Sequence, residues 1–459
     1  MNLEDLRRRI QGGITTSTDT TYDSVRRAIV WNQLVPERSP KVIVAAASEN
    51  DVVEAVKFAR ANGIKIAVRG GGHNWLGFSL RDDSLLIDLG RLNKVSIDRK
   101  ARIARIQPAL TGRELNLVLG ANGLAFPVGH CPMVPMSGFL LSGGIGWNFN
   151  SWNPACFSIE AAKVVTADAN VVVASEQQNS DLLWAVRGGG PGFFGVVTEY
   201  SLRLYAAPRA ITTSNYYYSL DDIDEVGAWA GTIARKLPKE VELTVVLASA
   251  PPSIGDRCRS SNGFVCVVSA TAFVDTSEDA KATLKLLETC PGANRCLQME
   301  RELPTPIDVL HETGVSWPEN HRYLGDTIWT NSSPGEVLRT LRAHFLHASA
   351  KCSAFFVFST GADRSPFPDA AYSMRGDALV LCYAVWERHE DDAANTAWQR
   401  ATITALDQFA VGHYVGESDI VADPGRAERS YSKGSWERLR KLRLKYDPNG
   451  LFHGHFGAR

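Results

Sequence analysis

The densest group of chemically useful side chains lies near the start of the chain, in the run Val68-Arg69-Gly70-Gly71-Gly72-His73-Asn74-Trp75. Three consecutive glycines after a predicted strand allow positive φ angles and a close approach of the backbone to a ligand. Successive N–H groups in such a turn form an anion-binding site, and Arg69 could add charge-assisted hydrogen bonds to a phosphate. The alternative is an ordinary glycine-rich turn whose histidine is simply hydrogen-bonded.

A second group follows about sixty positions later. It comprises Pro127-Val128-Gly129-His130-Cys131-Pro132 and then Leu141-Ser142-Gly143-Gly144-Ile145-Gly146. A thiol in a rigid Gly/Pro loop, upstream of a second glycine loop, suits the close approach of a planar cofactor. His130 could line that cofactor or bond to backbone, and Cys131 could equally be a structural cysteine beside a turn.

A third glycine-rich segment spans residues 181 to 198, and residues 190 to 195 formally match the pattern G-x-G-x-x-G. The dinucleotide-binding motif requires a strand, then the turn, then a helix, so that pyrophosphate meets the helix N-terminus. Here a predicted helix from Asp181 to Arg187 precedes the glycines, and a β-branched strand follows them. This order excludes a Rossmann site, although the loop amides could still bind phosphate.

Taken together, these blocks resemble the berberine bridge enzyme-like proteins of the vanillyl-alcohol oxidase family. The shared motifs are R-G-G-G-H, G-x-C-P, S-G-G-x-G and D-L-x-W-A-x-R-G-G-G-x-G-x-F-G-V-V-T, in that order, across roughly residues 38 to 205. The resemblance resumes at Tyr414-Val415-Gly416-Glu417-Ser418-Asp419, which is similar to Y-x-N-E-x-D. It ends at Lys445-Tyr446-Asp447-Pro448-Asn449-Gly450-Leu451-Phe452, which is similar to K-Y-D-P-x-x-L-F.

The resemblance implies an FAD-dependent enzyme whose flavin is covalently bound. His73 matches the histidine that bonds the flavin 8α-methyl carbon, and Cys131 matches the cysteine that bonds C6 in doubly linked members. Val134 falls at a position associated with the access of oxygen, which favours an oxidase that forms hydrogen peroxide over a dehydrogenase. The expected substrate is an alcohol, a sugar or an amine-type small molecule, and a flavin-binding protein without turnover is the remaining alternative.

The expected cofactor contacts follow from the same motifs. They are Arg69, Gly70, Gly71, Gly72, His73, Asn74, Gly77, His130, Cys131, Val134, Ser137, Gly138, Ser142, Gly143, Gly144, Gly146, Trp147, Gly195, Val196 and Val197.

The proton that leaves the substrate during hydride transfer needs a base. Glu417 and Tyr414 are the first candidates by the family motif, and Tyr383, in a predicted strand, is a third. A spacing of three places Glu417 and Tyr414 on opposite faces of a regular strand, so a shared site requires a bend. The alternatives are a core aromatic for Tyr383 and a surface charge or helix cap for Glu417.

Several positions depart from the family pattern and concern the substrate pocket more than the cofactor. Gly416 replaces the usual Asn, Phe193 stands where many members have Asn, and His453-Gly454-His455-Phe456 replaces an Asn-rich ending. The run His389-Glu390-Asp391-Asp392 resembles a metal cluster only superficially, and we assign it no metal. Trp147, Trp152, Trp317, Trp329 and Trp386 are numerous enough to suggest an aromatic-lined pocket.

The periodicity of the chain predicts an α+β fold. Short strands at 43–46, 64–68, 85–89, 95–98 and 103–106 alternate with a helix capped near Ser48 and another opened by the capping box at Thr111. Later strands at 241–247, 264–273, 354–359 and 378–386 alternate with amphipathic helices, which fits a sheet covered on one face by helices. We expect this sheet to be antiparallel. A basic helix is predicted at 436–446.

The resemblance to the family implies a two-part FAD-binding module with an inserted substrate domain. The predicted boundaries are 1–37 for an N-terminal helical segment, 38–206 for the FAD-binding domain, 207–411 for the substrate domain and 412–459 for a segment returning to the FAD module.

The composition is that of an ordinary globular protein, with 459 residues, 44% hydrophobic and 22% charged. A net charge of −1 without a basic stripe argues against nucleic acid or an anionic membrane as the main partner. The start of the chain lacks a secretory pattern, and we expect a soluble, cytoplasmic protein with a small-molecule substrate and O2 as partners. Eight cysteines are no disulfide framework, although the pairs Cys258/Cys266 and Cys290/Cys296 could close loops or remain free thiols.

Overall fold

A computed structural model of the chain describes residues 2–291, 293–301, 304–310, 317–348, 351–361 and 365–455. Its first sheet combines parallel and antiparallel pairing in the order β1-β2-β4-β3. The strands are β1 (Gly13–Thr16), β2 (Val42–Ala45), β3 (Ile66–Arg69) and β4 (Leu85–Asp88), and the accompanying helices are α1 (Leu3–Arg9), α2 (Tyr22–Ala28) and α3 (Glu49–Asn62).

Helix α3 illustrates why this part of the fold follows from local sequence. The Ser48 side chain accepts from the Asp51 N–H at the N-terminus, and Gly63 closes the helix with a φ of 63°. Its buried residues pack on the sheet, because apolar side chains recur on one helical face. Strand β3 follows this helix, whose position on the sheet is fixed by its cap and its buried face, and β3 leads directly into the glycine turn.

The second sheet has the order β5-β6-β10-β8-β9, and a short β11-β7 pair lies beside it. The strands are β5 (Val95–Asp98), β6 (Ile103–Ile106), β7 (Leu124–Ala125), β8 (Ile159–Val165), β9 (Val171–Ser175), β10 (Val196–Arg203) and β11 (Tyr205–Ala206). The helices are α4 (Gly112–Gly120), α5 (Met136–Leu141), α6 (Phe149–Trp152) and α7 (Ser180–Val186). The predicted capping box is confirmed, since the Thr111 side chain accepts from the Glu114 N–H and the Glu114 carboxylate accepts from the Thr111 N–H.

The third sheet, counted over the described residues, has eight strands that are all paired antiparallel, in the order β15-β12-β14-β13-β17-β18-β16-β19. The strands are β12 (Ala210–Ser219), β13 (Val241–Ser249), β14 (Phe264–Val274), β15 (Gln298–Arg301), β16 (Arg322–Thr330), β17 (Lys351–Phe358), β18 (Ala378–Trp386) and β19 (Ala410–Gly412). Helices α8 (Ile223–Ala234), α9 (Ser277–Leu284), α10 (Pro334–Phe345) and α11 (Asp392–Leu406) pack on one face.

Alternation along these strands divides the sheet into two faces. In β13, Leu243, Val245 and Leu247 are buried beneath the helices, whereas the residues between them are more exposed. The second face looks toward the first two sheets and leaves space between them. The predicted α+β fold with a helix-covered antiparallel sheet is confirmed, and β16 is a strand that the periodicity did not indicate.

The C-terminal segment returns to the first sheet after α12 (Gly425–Arg429) and α13 (Lys433–Tyr446). The Ile66 N–H donates to the Leu451 carbonyl at 2.8 Å, and the His453 N–H donates to the Ile66 carbonyl at 2.9 Å. The end of the described chain therefore borders the strand that leads into the glycine turn.

Two further observations concern the chain as a whole. Within the described ranges, no helix combines the length and the apolar character needed to cross a bilayer. All eight cysteines lie in the described ranges, and none of them is in a disulfide, so Cys258/Cys266 and Cys290/Cys296 do not close loops in this structure.

Candidate active site

A cavity of about 720 Å³ lies between the glycine-rich segments and the open face of the third sheet. Its wall includes the turn after β3, the segment from Gly129 to Trp147, and the turn from Tyr414 to Glu417. Cavities of 300–1,000 Å³ that bring a few polar groups together on apolar walls are typical of small-molecule and cofactor sites. The site therefore draws on both ends of the chain and on its middle.

The glycine turn has no room for side chains. A Cβ at Gly70 would lie 1.6 Å from Ser137 Oγ, and one at Gly71 would lie 2.0 Å from a Pro135 ring carbon. Gly72 has a φ of +73°, and a Cβ there would meet the Ile29 carbonyl. The three glycines are required because this backbone is enclosed on one side and lines the cavity on the other.

Arg69 holds this turn in place. Its Nη1 donates to Asp88 Oδ1 at 2.9 Å, its Nε to the Ile29 carbonyl, and its Nη2 to the Gly71 carbonyl. All three guanidinium nitrogens are thus used within the protein. Arg69 also lies in the cavity wall, and the hydrogen bond from Arg69 to a phosphate that we expected from the sequence stays a prediction.

His73 extends from the turn into the cavity wall with its ring stacked on Trp31, at a centroid distance of 4.9 Å and an interplanar angle of 20°. Burial, assisted by the nearby Arg69 charge, lowers the pKa of His73 to about 4. The imidazole is therefore neutral at pH 7 and keeps a nitrogen lone pair, as bond formation to carbon requires.

Cys131 and Val134 line the same cavity from the opposite segment. Burial raises the pKa of the Cys131 thiol, so that the group is protonated at neutral pH. His130 Nε2 lies 3.3 Å from Glu242 Oε2, and the His130 ring contacts Trp147 at a centroid distance of 4.0 Å. His130 lies in the cavity wall and pairs with a carboxylate of the third sheet, and among the described residues it has no hydrogen bond to backbone.

The bend that a shared site for Tyr414 and Glu417 requires is present. The Glu417 N–H donates to the Tyr414 carbonyl at 3.0 Å, which closes a turn. Thr327 on β16 fastens this turn, because its Oγ1 accepts from the Tyr414 N–H at 3.0 Å. The Asn74 amide donates to the Gly416 carbonyl at 3.2 Å and joins the turn to the glycine segment.

Glu417 presents a carboxylate to the cavity. Its Oε2 accepts hydrogen bonds from the Tyr383 hydroxyl and, at 3.4 Å, from Trp75 Nε1. Its Oε1 accepts no hydrogen bond from the described residues, so this oxygen is available to a ligand. Burial raises the pKa of Glu417, while the bonds from Tyr383 and Trp75 and the charge of His130 act in the opposite direction.

The two tyrosines have different surroundings. Burial, together with the Glu417 charge, holds the pKa of Tyr383 well above its usual value, so that its phenol stays protonated and donates to Glu417. The Tyr414 hydroxyl instead accepts from the Gly144 N–H at 3.2 Å, and burial also raises the pKa of Tyr414. Among the three predicted candidates, Glu417 is the one with a free oxygen, and Tyr383 supports it.

Most of the predicted cofactor residues line the cavity, and five do not. Val196 lies in the core beneath the first sheet, and Gly77 packs against Pro36. The other three are Gly143, Gly144 and Gly146, which pack against neighbouring side chains and backbone in the wall. A glycine in such a loop can be needed for close packing inside the protein or for the close approach of a ligand. Both needs produce the same sequence pattern.

The third glycine segment contributes to the wall without forming a dinucleotide motif. Residues 190–192 form a short 3-10 turn, and β10 follows the segment in place of a helix. Gly190, Gly195 and Val197 line the cavity. The exclusion of a Rossmann site is therefore confirmed by the order of the elements.

Three residues of the site were not predicted from the sequence: Trp31, Trp75 as a partner of Glu417, and Glu242. Trp75 stands two residues after His73, and this closeness to the glycine motif is the sequence feature that could have indicated it. Glu242 is the one carboxylate in the largely apolar predicted strand 241–247, an unusual place for a charge, but no local pattern indicates His130 as its partner.

The residues present fit a flavin nucleotide. A backbone turn free of side chains and a neutral imidazole line one cavity, together with a thiol and a carboxylate. His73 and Cys131 would hold the isoalloxazine ring, and the backbone of residues 70–72 and 137–138 would border it.

Comparisons with known proteins agree with this interpretation. The family described as "FAD binding domain" matches residues 40–175. The FAD-linked oxidoreductase ptmO of Penicillium ochrochloron is 27% identical over 429 residues, covering 93% of this chain and 92% of that protein. The (R)-6-hydroxynicotine oxidase of Paenarthrobacter nicotinovorans is 36% identical over 200 residues, covering 44% of this chain and 43% of that protein.

The fold has close counterparts among solved structures. The berberine bridge enzyme from Eschscholzia californica superposes with a TM-score of 0.82 at 19% identity, covering 99% of this chain and 98% of that one. The chain therefore carries an FAD-binding domain, has the fold of the berberine bridge enzyme, and resembles FAD-linked oxidoreductases along most of its length.

Proposed function

We propose that the chain is an FAD-dependent oxidase with a covalently attached flavin, which oxidises an alcohol, a sugar or an amine-type small molecule and forms hydrogen peroxide. The observation that carries this proposal is the Glu417 carboxylate, which has a free oxygen in the cavity that His73 and Cys131 also line. When bound, the flavin accepts a hydride at N5 and passes the electrons on to oxygen.

Glu417 removes the proton from the O–H or N–H next to the reacting carbon. The bonds from Tyr383 and Trp75 hold its Oε2 in place, and Oε1, which has no hydrogen-bond partner among the described residues, takes up the proton. A general base works best when its pKa lies near the operating pH, and burial moves the pKa of Glu417 upward in that direction. Tyr383 keeps its proton throughout and orients the carboxylate.

The covalent attachment is supported by the state of the two candidate side chains. The His73 ring is neutral at pH 7 and is fixed by stacking on Trp31, so it can form and retain a bond to the flavin 8α-methyl carbon. The Cys131 thiol lines the same cavity and offers a second attachment point at C6.

The attachment can be tested by mass and colour. We expect the acid-precipitated wild-type protein to remain yellow and its denatured chain to carry the added mass of one FAD. His73→Ala should lose or weaken this retention, and Cys131→Ala should leave a single link with an altered absorption spectrum. A Cys131→Ala protein with an unchanged spectrum and unchanged attachment would rule out the double link.

The choice of an oxidase over a dehydrogenase is supported by Val134, which lines the cavity three residues after Cys131. We expect the reduced enzyme to be reoxidised rapidly by air in a stopped-flow experiment. Val134→Ile should slow this step, because a larger side chain narrows the approach of oxygen, while anaerobic reduction by substrate stays as in the wild type. Slow reoxidation of the wild type would instead assign a dehydrogenase that uses another acceptor.

A further inference from the structure

The cavity face of the third sheet is divided into a polar and an apolar part. Residues that pair directly across neighbouring strands form rows, whose side chains stand about 4.5–5.5 Å apart. One row, read through the pairing of β15, β12, β14, β13, β17 and β18, consists of Glu300, Asn215, Ser269, Thr244, Val357 and Leu379. All six line the cavity. The row is thus polar over four strands and apolar over the last two.

The neighbouring rows continue this division. Thr213, Thr271 and Glu242 pair across β12, β14 and β13 on one side of the row and extend its polar part. On the other side, Val246, Phe355 and Leu381 pair across β13, β17 and β18 and extend its apolar part.

The two carboxylates of the polar part, Glu242 and Glu300, already have hydrogen-bond partners within the protein. Glu242 accepts from the Asn148 N–H at 2.6 Å and lies 3.3 Å from His130 Nε2. Glu300 accepts from the Tyr217 hydroxyl at 2.8 Å and from the side-chain amide of Gln298 at 2.6 Å.

Three neutral side chains at the centre of the polar part are not satisfied in this way. Asn215, Ser269 and Thr244 are direct neighbours across β12, β14 and β13, and each is half-buried. Within the described residues, none of these side chains has a hydrogen-bond partner, although the hydroxyls of the adjacent Thr213 and Thr271 bond to each other at 2.9 Å. A row of neutral donors and acceptors facing a cavity suits hydroxyl groups better than a charge.

The apolar part leads to the proposed base. The Trp317 ring lies 5.0 Å from Tyr383 and 6.3 Å from Phe355, and Trp75 lies 5.8 Å from Trp317. Tyr383 and Trp75 are also the hydrogen-bond donors to Glu417. A flat apolar ring placed among these aromatic side chains would bring its substituents to the Glu417 carboxylate.

We propose that Asn215, Ser269 and Thr244 form a binding subsite for the hydroxylated part of a neutral, amphipathic substrate, whose flat apolar ring carries the carbon oxidised beside Glu417. This inference rests on the proposed function and narrows its substrate class. A small sugar alone would leave the aromatic part empty, and an amine cation would find no unpaired carboxylate in the polar part.

The test compares four probes that bind the flavin-loaded protein without being oxidised. Phenyl β-D-glucopyranoside has both parts, methoxybenzene has the ring, methyl β-D-glucopyranoside has the hydroxyls, and phenyltrimethylammonium has the ring and a cation. We expect phenyl glucopyranoside to bind most tightly by calorimetry and to perturb the flavin absorption band. Thr244→Val and Ser269→Ala should each lower the affinity for phenyl glucopyranoside by about 3- to 10-fold, which is the contribution of one neutral hydrogen bond. The affinity for methoxybenzene should stay unchanged in both variants.

Ser214→Ala is the matched control, since Ser214 precedes Asn215 on β12 and is buried on the other face of the sheet. This variant should bind phenyl glucopyranoside as the wild type does. The subsite is disproved if Ser269→Ala and Thr244→Val bind like Ser214→Ala, if phenyltrimethylammonium binds most tightly, or if no probe binds. A protein that takes up no flavin would instead contradict the proposed function, a result that is recognised before any probe is added.

Discussion

Glu417→Gln is expected to lower kcat by about 10²- to 10⁴-fold, the usual contribution of a positioned general base. The glutamine amide has nearly the same shape and can still accept the hydrogen bonds from Tyr383 and Trp75. It cannot take up a proton, so the loss falls on the chemical step. The measurement is the rate of anaerobic flavin reduction by a saturating substrate in a stopped-flow instrument.

Tyr383→Phe is the companion variant, because it removes a donor to the base and keeps the carboxylate. We expect a smaller loss than for Glu417→Gln, with the flavin still attached in both proteins. Flavin reduction at the wild-type rate in Glu417→Gln would show that another group takes the proton.

The pH dependence distinguishes the base from a residue that only supports the site. Glu417 acts in its ionised form, and burial raises its pKa above the ordinary glutamate value. The rate constant for flavin reduction should therefore fall as the pH falls through this raised pKa, at a higher pH than for an exposed glutamate. Since the Tyr383 hydrogen bond lowers the pKa of Glu417, Tyr383→Phe should move this acid limb to still higher pH.

The parts of the site that depend on local backbone geometry were predictable from the sequence. The glycine turn at residues 70–72 follows a predicted strand, and Gly72 has the positive φ that such a turn allows. The neighbours that leave no room for a Cβ in this turn come from distant parts of the chain and were not predictable. The requirement for a bend between Tyr414 and Glu417 was also deduced correctly, because a spacing of three on a strand has a definite geometric consequence.

Contacts between distant segments were not predictable in this way. The pairing of His130 with Glu242 joins residues 112 positions apart, and Trp75 meets Glu417 across 342 positions. Arg69 shows the same limit, since the sequence did not indicate its ion pair with Asp88 on the neighbouring strand. Such pairs depend on how the three sheets are placed relative to one another. The periodicity of a single sequence indicates helices and strands but not this placement.

Strand β16 was missed for a related reason. Its residues Arg322 to Thr330 are buried on both faces, and they include Gly325 and Asp326, which are rare in strands. A strand without alternation cannot be recognised by a period of two. This strand nevertheless anchors the catalytic turn, because Thr327 holds Tyr414 and Asp326 pairs with the C-terminal segment.

That pairing supports the prediction with the largest expected effect on stability. Arg426 Nη1 donates to Asp326 Oδ2 at 2.7 Å, and the two side chains are only 6% and 4% exposed. Arg426→Met leaves the Asp326 carboxylate buried without its partner, and we expect a loss of about 3–5 kcal/mol in the free energy of unfolding. Urea unfolding of the flavin-loaded protein, followed by tryptophan fluorescence, measures this loss.

Two further variants show whether the cause is the unpaired buried charge. The double variant Asp326→Leu, Arg426→Met removes both charges of the buried pair and should recover most of the stability, because apolar residues of similar volume often replace a buried ion pair without loss. Asp407 also loses its bonds from Arg426, but its side chain is 37% exposed and water can replace them. Arg259→Met breaks an exposed pair with Asp256 and should leave the unfolding midpoint nearly unchanged. If Arg426→Met unfolds like Arg259→Met, the buried pair does not stabilise the anchor of the Tyr414 turn. If the double variant is as unstable as Arg426→Met, the loss arises from packing and not from charge.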